Sequence, residues 1–195
     1  VKGKHKAAAA RLQEAVAERN KLRLKLLGDY YPAGDEQILV YDVTGRTVPE
    51  GGIPLAVDAV VLNVETLLNV GAALRDQPVT HTSITVAGAV REPVTLSVPV
   101  GTPIAAALDL AGGPATASYR VIEGGPMTGE LMAQEEVEAG RAVCKKTTTG
   151  IVVLPADHWL IRQYNVGLDV ILQRAQSACC QCRLCTDLCP RYLMG

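Results

Sequence analysis

The sequence of 195 residues has no phenylalanine, one tryptophan and six tyrosines, and its formal net charge is only −1. It therefore lacks the basic stripe and the aromatic platform with which proteins commonly bind nucleic acid. No apolar run reaches the length of a membrane span, and no segment resembles a signal peptide. We predict a protein with no nucleic-acid partner and no membrane-spanning segment.

Six cysteines are present, and most of them lie in one short stretch near the C-terminus. Cys179, Cys182, Cys185 and Cys189 follow the pattern C-x2-C-x2-C-x3-C-P of bacterial ferredoxins. The two-residue spacings allow three thiolates to reach three irons of one [4Fe–4S] cluster. In two-cluster ferredoxins the fourth cysteine binds the other cluster. Cys189 therefore either serves a second cluster or completes the first.

Other uses of these cysteines fit the spacing less well. Structural zinc usually takes two ligand pairs separated by a dozen or more residues, and a disulfide framework is typical of short secreted chains. Cys180 lies outside the pattern and is expected to bind no metal, and Cys144 is expected to be a small buried hydrophobe. A thiolate-bound cluster implies a reducing compartment, so we predict a cytoplasmic protein.

The first part of the chain is predicted to alternate helices with irregular segments. Residues 4–27 have helical spacing of apolar residues, with Leu22–Leu26 as an alternative short strand. Asp35 is placed to cap a following helix, and the adjacent acids Asp35 and Glu36 are equally consistent with an ordinary cap or a binding site. Residues 38–58 contain several glycines and prolines and are predicted to be irregular.

The run Val60–Leu67 is predicted to be a buried strand that leads into a helix. Asn63 would lie at the end of that strand, where binding residues collect in α/β folds. Residues 130–142 are acidic and are predicted to form a loop or a solvated helix. His158, a lone histidine beside a tryptophan, is expected to be a capping or surface residue.

A second folding unit is predicted after Pro78. Thr102 and Pro103 have the residue types of a helix N-cap and first helical position. The predicted strands are Ser83–Val90, Val94–Val98, Tyr119–Glu123 and Thr147–Leu154, and the predicted helices are Ile104–Ala111 and Leu160–Ala178. The second of these helices is expected to lead directly into the cysteine run.

Three motifs together resemble a family of electron-transfer flavoproteins. They are Tyr31-Pro32-Ala33-Gly34-Asp35-Glu36, Gly45-Arg46-Thr47-Val48-Pro49 and Asn63-Val64-Glu65-Thr66-Leu67. The family includes the flavin-bearing NADH subunit of respiratory complex I, the C subunit of the Rnf complex and the cobalamin reductases of propanediol-utilisation microcompartments. Glu65 favours the cobalamin reductases, because the Rnf subunit usually has glycine at that position.

The resemblance implies an α+β protein of three parts. Residues 1–77 would be the C-terminal part of an α/β domain that binds FMN and NADH, as in the complex I flavin subunit. Residues 78–160 would be a β-grasp domain of the soluble-ligand-binding (SLBB) type, either a true ligand site or a spacer, and residues 161–195 a helical, ferredoxin-like [4Fe–4S] segment. The resemblance identifies no catalytic residue, and it implies an FMN site lined by Gly34, Asp35, Glu36, Asn63, Glu65 and Thr66.

The implied function is electron transfer from NADH through FMN and two [4Fe–4S] clusters to cobalamin. Implied partners are cobalamin or a cobalamin adenosyltransferase, together with shell or lumen proteins of a bacterial microcompartment. An Rnf-type subunit that feeds a membrane complex and a non-catalytic docking scaffold are the alternatives. The family's glycine-rich phosphate loop would precede Val1. We therefore expect a piece of a longer protein that alone holds FMN and NADH poorly and is inactive.

Overall fold

The computed structural model describes residues 1–187 and Cys189, so Leu188 and residues 190–195 of the predicted cluster segment lie outside the described residues. The chain forms two compact units, one of residues 1–62 with the described residues from Cys179 onwards, and one of residues 63–178. The domain boundaries predicted at residues 77 and 160 stay predictions. In chain order the elements are α1 (Lys6–Ala17), α2 (Glu36–Thr44), a 3-10 turn (Pro54–Val57), α3 (Val64–Ala73), β1 (His81–Gly88), β2 (Val94–Pro99), α4 (Ile104–Leu110), β3 (Tyr119–Glu123), β4 (Glu130–Ala133), α5 (Gln134–Glu138), β5 (Gly150–Pro155), α6 (Trp159–Tyr164), α7 (Leu168–Ala178) and α8 (Leu184–Asp187).

The first helix, α1, is shorter than predicted. It contains the alanine run 7–10, whose residues favour helix most strongly, but it buries no side chain. Propensity alone supports only a short helix, since tertiary packing normally supplies most helical stability. It therefore ends at Ala17 instead of continuing to residue 27. The alternative strand at Leu22–Leu26 does not form either, and a single parallel bridge joins Lys2 to Leu27 in this described stretch.

The second helix, α2, replaces part of a segment predicted to be irregular. It begins after Asp35 and ends at Gly45, whose left-handed φ of 73° is the usual conformation after a helix C-terminus. Ile38 and Val40 are buried on this helix. The prediction of irregular structure is therefore wrong for residues 38–44, where buried apolar side chains stabilise a helix, and the glycine- and proline-rich residues behind them begin only at Gly45.

A five-stranded mixed sheet forms the centre of the second unit, with strand order β2-β1-β5-β3-β4. Strands β1 and β5 pair in parallel, and every other neighbouring pair is antiparallel. Ile84 lies opposite Leu96 on β2, and Val121 lies opposite Val153 on β5. The predicted strands on β1, β2, β3 and β5 are thus confirmed with small shifts, and the sheet is consistent with the predicted β-grasp.

The core of this unit lies between the sheet and α4. Alternate residues of β1, among them Ile84 and Val86, are fully buried, and so are Ile151 and Val153 of β5. Helix α4 adds Ile104, Ala107 and Leu108 to the same cluster. Burial of this much apolar surface is the main stabilising contribution for the unit.

Gly88 ends β1 at a point where no other residue fits. Its φ of 91° lies in the region that L-amino acids rarely adopt, and a Cβ there would overlap the carbonyl oxygen of Val153. The backbone nitrogen of the next residue, Ala89, donates to that same Val153 oxygen at 2.7 Å. The close approach of β1 and β5 therefore depends on this glycine.

Two details of the second unit differ from prediction. Thr102 is not the N-cap of α4, because Pro103 takes that position and the Thr102 hydroxyl instead donates to the Pro99 carbonyl at 2.7 Å. The acidic stretch 130–142 is not simply loop or solvated helix, because its beginning pairs with β3 as strand β4. Val137 in the following helix is fully buried, so part of this stretch belongs to the core.

The predicted buried strand Val60–Leu67 is wrong. Residues 60–63 pair with no strand of the described chain, Val60 is 74% exposed, and the segment from Val64 is already α3. The apolar residues matched a buried strand, but Asn63 caps a helix at this point.

The helix predicted over Leu160–Ala178 is two helices, α6 and α7, separated at residues 165–167. His158 caps α6 by accepting from the Leu160 nitrogen at 3.2 Å, which confirms its predicted capping role.

Candidate functional site

The segment of the four candidate cluster cysteines contains two residues with unusual backbone angles. Gln181 and Arg183, the residues on either side of Cys182, have left-handed φ angles of 55° and 63°. Such angles are uncommon outside glycine, asparagine and aspartate. Both residues precede α8, which begins at Leu184. In this segment a backbone N–H group comes close to a sulfur atom.

One such contact involves Cys182. A hydrogen bond from the Leu184 backbone N–H lowers the pKa of the Cys182 thiol, and a hydrogen bond from the Cys180 side chain lowers it further. Hydrogen bonds to the charged form of a group favour that form. A thiolate is the form in which cysteine binds metal. Cys180, expected to bind no metal, therefore contacts a candidate ligand even though it lies outside the ferredoxin pattern.

The donor chemistry of this segment fits an iron–sulfur cluster. Cys179, Cys182 and Cys185 are exposed free thiols, and Cys189 is a partly exposed free thiol. Clusters of this type are held by cysteine thiolates. Within residues 1–187 and Cys189, however, no three potential metal-binding side chains are already gathered as a ligand set. The residue types and their accessibility thus suit a cluster, while the ligand arrangement itself stays a prediction.

Three of the candidate flavin residues lie at the start of α2 in the first unit. Asp35 is the N-cap, and its carboxylate accepts from the Gln37 backbone nitrogen at 3.0 Å. The capping interpretation of this acidic turn is confirmed. Glu36 lies in the first helical turn, where a negative charge is favourable. A Cβ at Gly34 would meet no atom within 4 Å, so open space adjoins the turn.

The other three candidate flavin residues lie at the start of α3 in the second unit. Asn63 is the N-cap and accepts from the Glu65 backbone nitrogen at 2.9 Å. The Glu65 carboxylate accepts from the Ser83 backbone nitrogen at 2.6 Å, which attaches the helix start to β1. Both predicted flavin motifs are therefore helix N-termini with a capping side chain. The six residues are divided between the two compact units.

A polar cavity of about 240 Å³ lies beside the start of α3. Its lining combines two amides, three hydroxyls, one carboxylate and one lysine, so it offers both hydrogen-bond donors and acceptors. It is smaller than a typical cofactor pocket. The lining residues are Asn63, Glu65, Thr66, Asn69, Lys146, Thr147 and Thr149.

The loop before β5 contributes a part of this cavity that the sequence motifs do not reveal. Lys146, Thr147 and Thr149 lie far from Asn63 in sequence, and only the sheet brings them beside it. The pair Lys145-Lys146 followed by three threonines is the available signal, but in sequence these threonines indicate only a strand. Their position is set by β5, whose parallel pairing with β1 could not be deduced from local patterns.

A partly buried ionic network includes residues of the same loop. The Glu123 side chain is only 9% exposed and accepts from Lys145 Nζ at 3.0 Å and from the Thr148 hydroxyl. The hydrogen bond to Glu123 raises the pKa of Lys145. Thr148 Oγ1 also accepts from the Lys145 backbone nitrogen at 2.8 Å. A buried carboxylate with these partners fixes the conformation of the loop.

Comparison with known proteins agrees with a flavin-domain part followed by an SLBB part. Residues 1–72 match the Nuo51 FMN-binding domain, and residues 83–131 match the SLBB domain. The chain is 45% identical over 175 residues to the cobalamin reductase PduS of Citrobacter freundii, which is 89% of this chain and 38% of that protein. It is 43% identical to PduS of Salmonella typhimurium over the same shares of both proteins.

More distant similarity extends to ion-translocating complexes. The C subunit of the proton-translocating ferredoxin:NAD(+) oxidoreductase complex of Clostridium ljungdahlii is 32% identical over 178 residues, 90% of this chain and 35% of that protein. The chain thus spans less than two fifths of these relatives. None of the described helices has the length and apolar character needed to cross a membrane. The chain is thus similar over most of its length to PduS cobalamin reductases, with a match to the Nuo51 FMN-binding domain in its first 72 residues and a match to the SLBB domain behind it.

Proposed function

We propose that the protein is part of an oxidoreductase that uses NADH to reduce cobalamin, with FMN and [4Fe–4S] clusters as electron carriers. The observation that carries this proposal is the 45% identity to a PduS cobalamin reductase over nearly the whole chain. When bound, FMN accepts a hydride equivalent, and an iron–sulfur cluster carries single electrons. The resemblance to microcompartment reductases supports a cytoplasmic location inside a bacterial microcompartment, among its shell and lumen proteins.

The cysteine segment is proposed to hold the cluster. Cys179, Cys182 and Cys185 would bind three irons, and Cys189 would bind either a second cluster or the fourth iron of the first. The N–H of Leu184, which already lowers the pKa of Cys182, would stabilise negative charge on sulfur. Because these thiols are exposed or partly exposed, metal and sulfide can reach them without opening the protein core.

The helix starts at Asp35 and Asn63 are proposed to contribute to the FMN site. Their side chains hold backbone N–H groups in fixed directions, and Glu36, Glu65 and Thr66 add polar groups beside them. The open space at Gly34 allows a planar group to approach the backbone. Cobalamin itself or a cobalamin adenosyltransferase is the proposed acceptor or partner.

An Rnf-type subunit is the second candidate. The 32% identity to the Clostridium ljungdahlii relative supports it less strongly than the 45% identity supports a reductase. A non-catalytic docking scaffold is the third. Affinity purification of the natural-length polypeptide separates these functions. Stable capture of membrane subunits would replace our proposal with the Rnf-type function. Stable capture of an adenosyltransferase or of microcompartment proteins would support the reductase proposal.

The first test concerns the cluster. The chain is purified without oxygen, reconstituted with iron and sulfide, and examined by visible absorption, metal analysis and electron paramagnetic resonance. We expect brown protein whose absorbance near 400 nm is bleached by dithionite. Colourless protein with stoichiometric zinc would contradict the proposal.

The second test concerns the reaction. The natural-length polypeptide, loaded with FMN and iron, is mixed with NADH and cobalamin under argon. We expect NADH-dependent changes in the cobalamin spectrum that require the cysteine segment. A loaded protein that oxidises NADH with an artificial acceptor but leaves cobalamin unchanged would exclude cobalamin as the acceptor.

A further inference from the structure

The cavity at the start of α3 has walls from two parts of the sequence with different family matches. The Nuo51 match extends to residue 72, so α3 with Asn63, Glu65 and Thr66 belongs to the FMN-binding match. The opposite wall, with Lys146 and Thr147, comes from the loop that leads into β5. Both walls lie within one compact unit. The cavity therefore has lining residues both inside and outside the FMN-binding match.

Both walls are fixed to the same strand. Glu65 accepts from the Ser83 nitrogen on β1 at 2.6 Å. On the loop, the Thr149 carbonyl accepts from the Thr85 nitrogen at 3.1 Å, and the Thr148 carbonyl accepts from the Thr82 hydroxyl at 3.3 Å. The Glu123–Lys145–Thr148 network holds the loop from its other side. The cavity is therefore preorganised, which reduces the entropy lost on binding a ligand.

The charges of the cavity define the kind of group it suits. Lys146 and Glu65 are its charged lining residues, and their formal charges cancel. One Glu65 oxygen already accepts from Ser83, whereas Lys146 Nζ has no hydrogen-bond or ion-pair partner within the described part of the chain. A cavity without net formal charge, whose ammonium group, amides and hydroxyls all donate, favours an uncharged ligand group rich in oxygen acceptors.

We propose that the loop before β5 forms one wall of the FMN site, where Lys146 donates to an uncharged oxygen of the cofactor, either a ring carbonyl or a ribityl hydroxyl. Thr147 and Thr149 complete this wall with hydroxyls that both donate and accept. This proposal rests on the proposed function, because it takes FMN as the ligand. The ligand group is one that FMN shares with riboflavin, and the phosphate of FMN lies outside this cavity.

The test is a titration of the ¹⁵N-labelled chain, followed by amide chemical shifts, with FMN, riboflavin and inorganic phosphate as separate ligands. We expect both flavins to shift the amides of Asn63, Thr66, Thr147 and Thr149, and phosphate to leave them unchanged. Lys146→Ala should weaken binding of both flavins by about fivefold, the value of one ordinary hydrogen bond. Lys25→Ala, which removes an exposed lysine of the first unit, should leave both affinities unchanged.

Four results would overturn the proposal. The first three are flavin binding that Lys146→Ala does not weaken, phosphate shifts at the same amides, and no flavin-induced shift at the cavity. If Lys146→Ala weakened only FMN, the lysine would contact the phosphate, which also contradicts it. Dithionite bleaching of the reconstituted cluster depends on the cysteine segment and on none of these cavity residues. Failure of the proposed function at the cluster is therefore recognised separately from failure of this proposal.

Discussion

Cys144 and the C-terminal cysteines carry the same thiol group in opposite surroundings. Cys144 is completely buried against the sheet and α4, and burial raises the pKa of its thiol. Cys182 is exposed between two left-handed residues, and a backbone N–H lowers the pKa of its thiol. In the sheet, side-chain packing sets the surroundings of the thiol, whereas in the C-terminal segment solvent exposure and a backbone hydrogen bond do. Surroundings, more than residue type, separate a structural thiol from a candidate ligand.

The largest effect on stability is expected at Gly88, where the packed sheet leaves no room for a side chain. Gly88→Ala would place a methyl group on the Val153 carbonyl oxygen and would also force alanine to a φ of 91°. We expect the second unit not to fold, with loss of more than about 4 kcal/mol of unfolding free energy. Far-UV circular dichroism and urea unfolding measure this loss.

Gly101 provides the matched control for that substitution. Its φ is 93°, but a Cβ there would meet no atom within 4 Å. Gly101→Ala should therefore cost only the backbone strain of about 1–3 kcal/mol and leave a folded protein. Equal destabilisation by the two substitutions would show that the approach of β1 to β5 is not the decisive constraint.

The next largest effect is expected on iron binding by the cysteine segment, and the stability of the sheet should not change. Cys182→Ser removes a proposed ligand, so we expect most of the iron to be lost from reconstituted protein. The buried cluster of the sheet includes Cys144 but none of the C-terminal cysteines. The urea midpoint for unfolding of the second unit should therefore stay unchanged. Iron per chain and unfolding are measured on the same samples.

Cys180→Ser is the control for iron binding. Cys180 lies outside the ferredoxin spacing, so this variant should retain its iron, with at most a changed potential through the altered hydrogen bond to Cys182. Loss of the sheet in Cys182→Ser would show that the cluster is a structural element of the whole protein. Equal iron loss in both variants would mean that Cys180 is also a ligand.

Local patterns predicted most of the sheet and its helix. Strand alternation on β1, with Ile84 and Val86 buried, and the glycines behind α4 are local signals that the structure confirms. The apolar run that begins at Val60 predicts a buried strand, but Val60 is exposed and Asn63 caps a helix. Periodicity detects apolar side chains but does not show whether a partner surface exists for them.

The cavity beside α3 shows a second limit of sequence reasoning. The motif around Asn63 was recognised, and so was its helix, but Lys146 enters the cavity only through the pairing of β5 with β1. Residues so far apart in the chain meet through tertiary structure alone. The same holds for Glu123, whose burial and bonds to Lys145 and Thr148 have no local signature.

A smaller contrast is expected in thiol reactivity. In metal-free protein without denaturant, the exposed Cys179, Cys182 and Cys185 should react with iodoacetamide within minutes. Cys144 should react at least about a hundredfold more slowly, because it must wait for opening of the core. Mass spectrometry of proteolytic peptides distinguishes the sites. Urea should abolish the difference, and rapid labelling of Cys144 in the native protein would contradict its place in the core.

The smallest effect concerns the loop that forms the second wall of the proposed flavin site. Thr148→Val keeps the side-chain shape but removes the buried hydroxyl that donates to Glu123 and accepts from the Lys145 nitrogen. We expect a loss of about 1–3 kcal/mol in the free energy of unfolding, since a buried carboxylate and a backbone N–H both lose a partner. Thr147→Val, at the exposed neighbouring position, should change that free energy by less than about 0.5 kcal/mol. Urea unfolding of both variants measures the difference. If the two valine variants were equally stable, the Glu123 network would not be what fixes the loop, and the preorganisation of the cavity would have to come from the hydrogen bonds to β1 alone.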